Sequence, residues 1–242
     1  MPPRRLRARV GAPGARPFVE SGRAAADAIR IAAADAGTPL ERAEAILDFG
    51  CGCGRVVFPL DSELPSQVRL TGCDVDAQAI RWLDARLSAR GRAVVNSFAP
   101  PLPFADAAFD VVYSSSILTH LDQASQDRWI AELDRVLTPD GLALVSIHGP
   151  RAFAHAVAGH ARLTLDMVAR LRAHQGLDDF VFEPYDSDRA TREELPGITG
   201  AYGMAFQTPA VIGERWQAAF ELGDHREWAI NHWQDLVVLR KR

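Results

Sequence analysis

Residues Ala45-Ile46-Leu47-Asp48-Phe49-Gly50-Cys51-Gly52-Cys53-Gly54-Arg55 carry the reading of the fold. An apolar run leads into glycines at alternate positions, and Val56, Val57 and Phe58 restore apolar character. That order reads as a strand, a tight turn and a helix start. Glycine suits such a turn because it reaches positive φ without strain and has no Cβ to hold a ligand off the backbone. The N–H groups of the turn are then expected to face the ligand at the helix N-terminus. The dinucleotide fingerprint G-x-G-x-x-G wants a glycine at its sixth position, where this chain has Arg55, so the pattern is G-x-G-x-G instead.

With 242 residues, 48% of them apolar and 24% charged, the chain can bury one substantial core as an ordinary globular protein. A net charge of −4 argues against a nucleic-acid partner, which usually meets a basic domain. The basic start Met1–Val10 is not followed by the apolar segment of a secretory signal. No run is long enough to span a bilayer, so the expectation is a cytoplasmic protein with no membrane partner. Three cysteines, Cys51, Cys53 and Cys73, suit a reducing compartment and are too few to ligate a metal by themselves.

Downstream, Gln67–Cys73 reads as a second strand ending in Gly72-Cys73-Asp74-Val75-Asp76, which puts Asp74 24 residues after Gly50. An acid roughly 20 residues beyond a glycine turn, at the tip of the next strand, is placed to accept from ribose hydroxyls. Asp76 reads as the N-cap of a helix over 77–90. A short third strand, Ala93–Asn96, precedes Leu102-Pro103-Phe104, then Phe109-Asp110 opens a fourth strand to Ser114. A helix over 124–137 follows, and Leu142–His148 is apolar enough to be a strand buried on both faces. Between them stands Glu132-Leu133-Asp134-Arg135-Val136-Leu137-Thr138-Pro139-Asp140-Gly141. Phe220–Ile230 and Asp235–Arg240 are two strands whose short link makes them antiparallel.

The motif Asp48-Phe49-Gly50-Cys51-Gly52-Cys53-Gly54, the Gly-x-Asp ending at Asp74, the Leu-Pro-Phe and Phe-Asp segment, and the run Glu132–Gly141 together resemble the class I S-adenosylmethionine-dependent methyltransferases. They span about 46–148 in matching order, with Asp140 in place of a family glycine. The resemblance implies a doubly wound, Rossmann-like α/β fold: a seven-stranded sheet of order 3-2-1-4-5-7-6, strand 7 antiparallel. It further implies one domain over 1–242 with 149–213 a substrate lid inserted after strand five, while the Arg-, Pro-, Gly- and Ala-rich start without periodicity reads as a mobile N-terminal arm over 1–20. Within the lid and just after it, Tyr202, Met204, Phe206 and Trp216 are candidates to wall a substrate pocket.

The cofactor implied is S-adenosyl-L-methionine, leaving as S-adenosyl-L-homocysteine. By the same resemblance it would meet Asp48, Phe49, Gly50, Cys51, Gly52 and Gly54 on the first turn and Asp74 and Val75 at its ribose. Asn96, Ser97 and Phe98 would lie at the adenine, Ser114 at the fourth strand end, and Arg23, on a helix starting near Ser21, at the carboxylate. The partner expected is a small-molecule acceptor methylated at oxygen; the alternatives are a protein or RNA acceptor, or a non-catalytic binder of the cofactor. If a proton must be removed, His148 at the end of strand five is preferred as general base and His120 is second, since histidine titrates near neutrality.

Overall fold

A computed structural model describes residues 1–161, 163–185 and 202–242. Nine strands and eight α-helices can be followed among them. Strands β1 (Ala45–Phe49), β2 (Arg69–Asp74), β3 (Gly91–Val95), β4 (Phe109–Ser114) and β5 (Leu137–Ile147) are parallel neighbours. Strands β8 (Phe220–Ile230) and β9 (Gln234–Lys241) form a hairpin whose β9 runs antiparallel to β5. The sheet order is β3-β2-β1-β4-β5-β9-β8, the expected order with the hairpin as its sixth and seventh strands.

Alternation along the central strands splits the core into two layers. Ile46, Val111, Tyr113, Leu142 and Leu144 face one side, under α2 (Ala15–Asp35), α3 (Val57–Glu63) and α4 (Ala77–Asp84). Leu47, Val112, Ala143 and Val145 face the other, where α5 (Gln123–Val136) and α8 (Pro209–Trp216) bring Trp129, Leu133, Ile212 and Trp216. Strands buried on both faces need apolar residues at odd and even positions alike, which is why they read as continuous apolar runs. Asp140 has φ +60°, the left-handed region that explains the glycine usual at this place in the family. No helix among the described residues is long and apolar enough to cross a membrane.

Several expectations change. The N-terminal arm is ordered: α1 (Arg4–Arg9) and the start of α2 bury Leu6, Ala12 and Phe18 against Cys53 and Ala79. Those apolar residues lack regular spacing, and their partners lie on the glycine turn and α4, so no local pattern reports them. Helix α2 begins at Ala15, which puts Ser21 inside it rather than at its cap. Asp76 caps α4 as expected, accepting from Gln78 and Ala79 N–H, but the helix ends at Asp84.

The expected insertion after β5 contains α6 (Pro150–Val157), α7 (Leu165–Ala173) and a separate two-stranded sheet, β6 (Phe180–Pro184) with β7 (Gly203–Gln207). It has its own apolar cluster, including Phe153, Met167, Leu171, Met204 and Phe206. Residues 162 and 186–201 of that segment lie outside the described residues.

Candidate active site

The turn after β1 folds against the end of β2. Gly50, Gly52 and Gly54 have φ of +84°, +51° and +85°. Cys73 O accepts from Gly50 N–H at 2.8 Å and Cys51 N–H at 3.0 Å, and Cys51 O accepts from Gly54 N–H at 2.9 Å. Asp74 Oδ2 accepts from Gly52 N–H at 2.8 Å, and its Oδ1 from Asp76 N–H at 2.8 Å. These donors are engaged within the protein, which corrects the expectation that they face the ligand. Parallel pairing sets Phe49 beside Cys73, so the end of β2 lies across the turn and takes its N–H groups. What glycine supplies is space: a Cβ on Gly50 would collide with Ile117, and one on Gly52 would lie 2.6 Å from Val10 Cγ1.

A cavity of about 890 Å³ opens at this edge of the sheet. Asp48, Phe49, Gly50, Cys51, Gly52, Asp74, Val75, Asn96 and Phe98 line it, as do His120 and His148. Asp48 is buried, its Oδ2 without a hydrogen-bond partner; burial pushes its carboxyl up to about 8 against the opposing effect of the Tyr113 hydroxyl. Burial likewise raises Asp74, offset in part by the N–H groups of Asp76 and Gly52. Asn96 donates from Nδ2 to Ser97 O at 2.7 Å, which leaves its Oδ1 buried and free to accept.

Four of the expected cofactor residues stand outside the cavity. Gly54 faces Leu83 and Phe58, Ser97 is exposed, and Ser114 is buried at the end of β4 while Ser115 and Ser116 reach the cavity in its place. Arg23 is exposed on α2. Its neighbour Gly22 packs on the Arg55 backbone, where a Cβ would strike the Arg55 carbonyl, so that the next residue along the helix turns outward. Arg55 lines the cavity and makes no hydrogen bond or ion pair among the described residues, although Asp48 acts on it electrostatically. It stands in the opening sequence motif, yet nothing in the spacing tells an inward arginine from an outward one.

The two candidate histidines are held by one strand. His148 Nδ1 is 3.1 Å from Ala205 O and His120 Nδ1 is 3.0 Å from Gly203 O, carbonyls two residues apart on β7. Gln207 N–H donates to His148 O at 2.9 Å, closing the clamp. A carbonyl can only accept, so each Nδ1 carries the proton and each Nε2 presents a lone pair. Nε2 of His148 is buried with no partner. Burial lowers both imidazoles, His148 to about 3 with help from His120.

Tyr185, Tyr202, Met204, Trp233 and His155 complete this end of the cavity. Tyr202 and Met204 were expected there; Phe206 instead packs behind His148, and Trp216 lies in the core donating to Asp127 Oδ1 at 3.1 Å. Trp233 comes from the β8–β9 turn, and no sequence signal ties that turn to the site.

Residues 46–141 match the family model of a methyltransferase domain. An uncharacterised protein of Haemophilus influenzae is 32% identical over 103 residues, covering 41% of this chain and 40% of that protein. An O-methyltransferase of Aspergillus nomiae is 31% identical over 102 residues, 40% of this chain and 44% of that enzyme. Among solved structures, the 1,6-didemethyltoxoflavin N1-methyltransferase of Burkholderia thailandensis, with its substrate and S-adenosylhomocysteine bound, has a TM-score of 0.59. That match is at 18% identity over 90% of this chain and 78% of that one, a likeness of fold. Over residues 46–141 the chain is similar to the methyltransferase domain family, and its fold is shared with a methyltransferase solved with S-adenosylhomocysteine bound.

The chain spans roughly half or less of the curated relatives it matches, 40% to 54% of their lengths. A methyltransferase domain implies S-adenosylmethionine as cofactor, and the cavity fits it on three counts. Asp74 keeps further lone pairs for ribose hydroxyls, since each of its oxygens accepts only one N–H. Asn96 Oδ1 and Asp48 Oδ2 are buried acceptors without partners. The Arg55 guanidinium is a partly buried donor set with no hydrogen bond or ion pair among the described residues, and a bound carboxylate would supply one.

Proposed function

We propose that this chain transfers a methyl group from S-adenosylmethionine to a small-molecule acceptor at oxygen. The observation that carries the reading is the His148 ring: its Nδ1 is fixed as a donor to Ala205, and its buried, unpartnered Nε2 borders the cavity that the glycine turn also lines. A buried acceptor with no partner wants an O–H or N–H donor. The name of the Aspergillus relative supports oxygen.

When bound, S-adenosylmethionine supplies a methyl group on a positively charged sulfur and leaves as a neutral thioether. Arg55 takes the carboxylate role first placed on Arg23, Asp74 the ribose and Asn96 the adenine amino group. His148 Nε2, bordering the same cavity, would take the proton that the acceptor gives up on methylation. In the empty cavity that nitrogen is a weak base, because nothing offsets the cost of a buried imidazolium. A cofactor that gives up a positive charge on transfer would offset the charge that His148 gains with the proton. Much of the acceleration comes from alignment of the reacting atoms.

The test is acceptor-dependent release of S-adenosylhomocysteine, scored together with the gain of one CH₂ on the acceptor by mass spectrometry. Cofactor binding with no release across a broad panel of hydroxylated small molecules would sink the reading. Transfer to nitrogen alone would correct its final step.

A further inference from the structure

Beyond the cofactor half, the cavity wall is built of rings in contact with one another. Tyr185 and Tyr202 lie 5.5 Å apart by ring centroids, and His120 stands 5.9 Å from the first and 5.2 Å from the second. His148 follows at 6.2 Å from His120, Trp233 at 5.2 Å from His148, and His155 at 5.6 Å from Trp233. The six rings come from five separate places: the loop after β4, the end of β5, α6, the ends of the β6–β7 pair and the terminal hairpin. All six border the cavity. Their neighbouring planes are tilted or perpendicular, between 36° and 86°, so the wall offers both ring faces and polar ring edges. A flat ring entering such an arc finds edge-to-face and offset partners, an attraction beyond area burial that a saturated ring of equal size does not share.

The charge pattern selects further. Among the described residues, the carboxylates bordering the cavity are Asp48 near the end of β1, Asp74 at the end of β2 and Asp76 just after it. The wall's buried setting disfavours a positive charge, since burial lowers the imidazoles of both His120 and His148. Its unpartnered buried atom, His148 Nε2, accepts and does not donate. We infer that the acceptor is a planar aromatic or heteroaromatic molecule bearing an ionisable O–H or ring N–H, and neither an aliphatic alcohol nor an amine cation. This rests on the methyl-transfer reading, from which its test is separable.

The full chain, saturated with S-adenosylhomocysteine, is titrated with three probes: 2-naphthol, its saturated counterpart decahydro-2-naphthol, and 2-naphthylmethylamine, with calorimetry as the readout. The expected result is that 2-naphthol binds at least about tenfold more tightly than either of the others. Trp233→Leu and Tyr202→Leu should each erase most of that preference, Trp233→Phe should retain it, and S-adenosylhomocysteine affinity, which reports a folded site, should hold in all three variants. Equal or better binding of the saturated or cationic probe overturns the inference, as does a naphthol preference that survives both leucine variants. Naphthol binding without methylation of any aromatic acceptor would count against methyl transfer alone; transfer confined to aliphatic alcohols would overturn the acceptor class and leave methyl transfer standing.

Discussion

His120 and His148 stand edge to face with ring centroids 6.2 Å apart, each tied through Nδ1 to a carbonyl of the same strand. The arrangement leaves two imidazole Nε2 atoms as acceptors beside one cavity, and only that of His148 is both buried and without a partner. His148→Ala should therefore lower kcat by roughly 10²–10⁴-fold, the span of general base catalysis. Because His148 titrates at about 3 in the empty site, its loss should leave the pH profile near neutrality unchanged in shape. Activity within a few-fold of wild type would remove His148 as the base and bring His120 forward.

Acid should unfold the protein through the same pair. His148 falls from the ordinary 6.5 to about 3 on folding, so its stabilising contribution is full above about pH 6.5 and is lost as the pH falls toward 3. Thermal unfolding followed from pH 7 to pH 4 should show a smaller drop in Tm for His148→Gln than for wild type. Parallel curves would mean that another group controls acid lability.

Asp48 makes cofactor recognition pH-dependent. With its carboxyl raised to about 8, it is neutral at pH 7 and ionised at pH 9, where it favours a cation in the cavity. S-adenosylmethionine should gain affinity relative to S-adenosylhomocysteine, which lacks the sulfonium charge, between those two values, and Asp48→Asn should abolish the trend. The quantity to follow is the ratio of the two Kd values; a ratio flat with pH in the wild type excludes the effect.

Arg55 and Arg23 can be separated directly. Arg55→Leu should weaken S-adenosylhomocysteine by about 1.5–3 kcal/mol, the range for hydrogen bonds to charged groups, whereas Arg23→Leu on the exposed face of α2 should change the Kd less than twofold. Calorimetry with both variants decides it, and equal losses or the reverse order would return the carboxylate to Arg23.

Asp74→Ala removes the acceptor of two backbone N–H groups, those of Gly52 and Asp76, and with it the proposed ribose acceptor. Cofactor affinity should fall by about 1.5–3 kcal/mol, and Tm should fall too, because those donors lose their partner. A variant with lowered Tm and unchanged Kd would assign Asp74 to the turn alone.

The sequence by itself marked the strands and the glycine turn, while the order of the sheet came from the family that its motifs resemble. Continuous apolar runs mark strands buried on both faces, and glycines at alternate positions mark a turn that side chains would obstruct; both signals are local. Asp48, Asp74 and Asn96 were legible because each sits at a fixed offset from a strand end. Direction and company were decided only by the tertiary structure. Which arginine enters the cavity depends on how α2 seats on the turn through Gly22, a packing contact between residues 33 positions apart. The tautomer shared by His120 and His148 depends on carbonyls of β7, dozens of residues downstream. The turn's N–H groups, expected to face a ligand, were taken by Cys73 and Asp74 because parallel pairing lays the end of β2 across them. Each of these outcomes rests on a long-range contact, and a contact between distant segments leaves no period or spacing in either one.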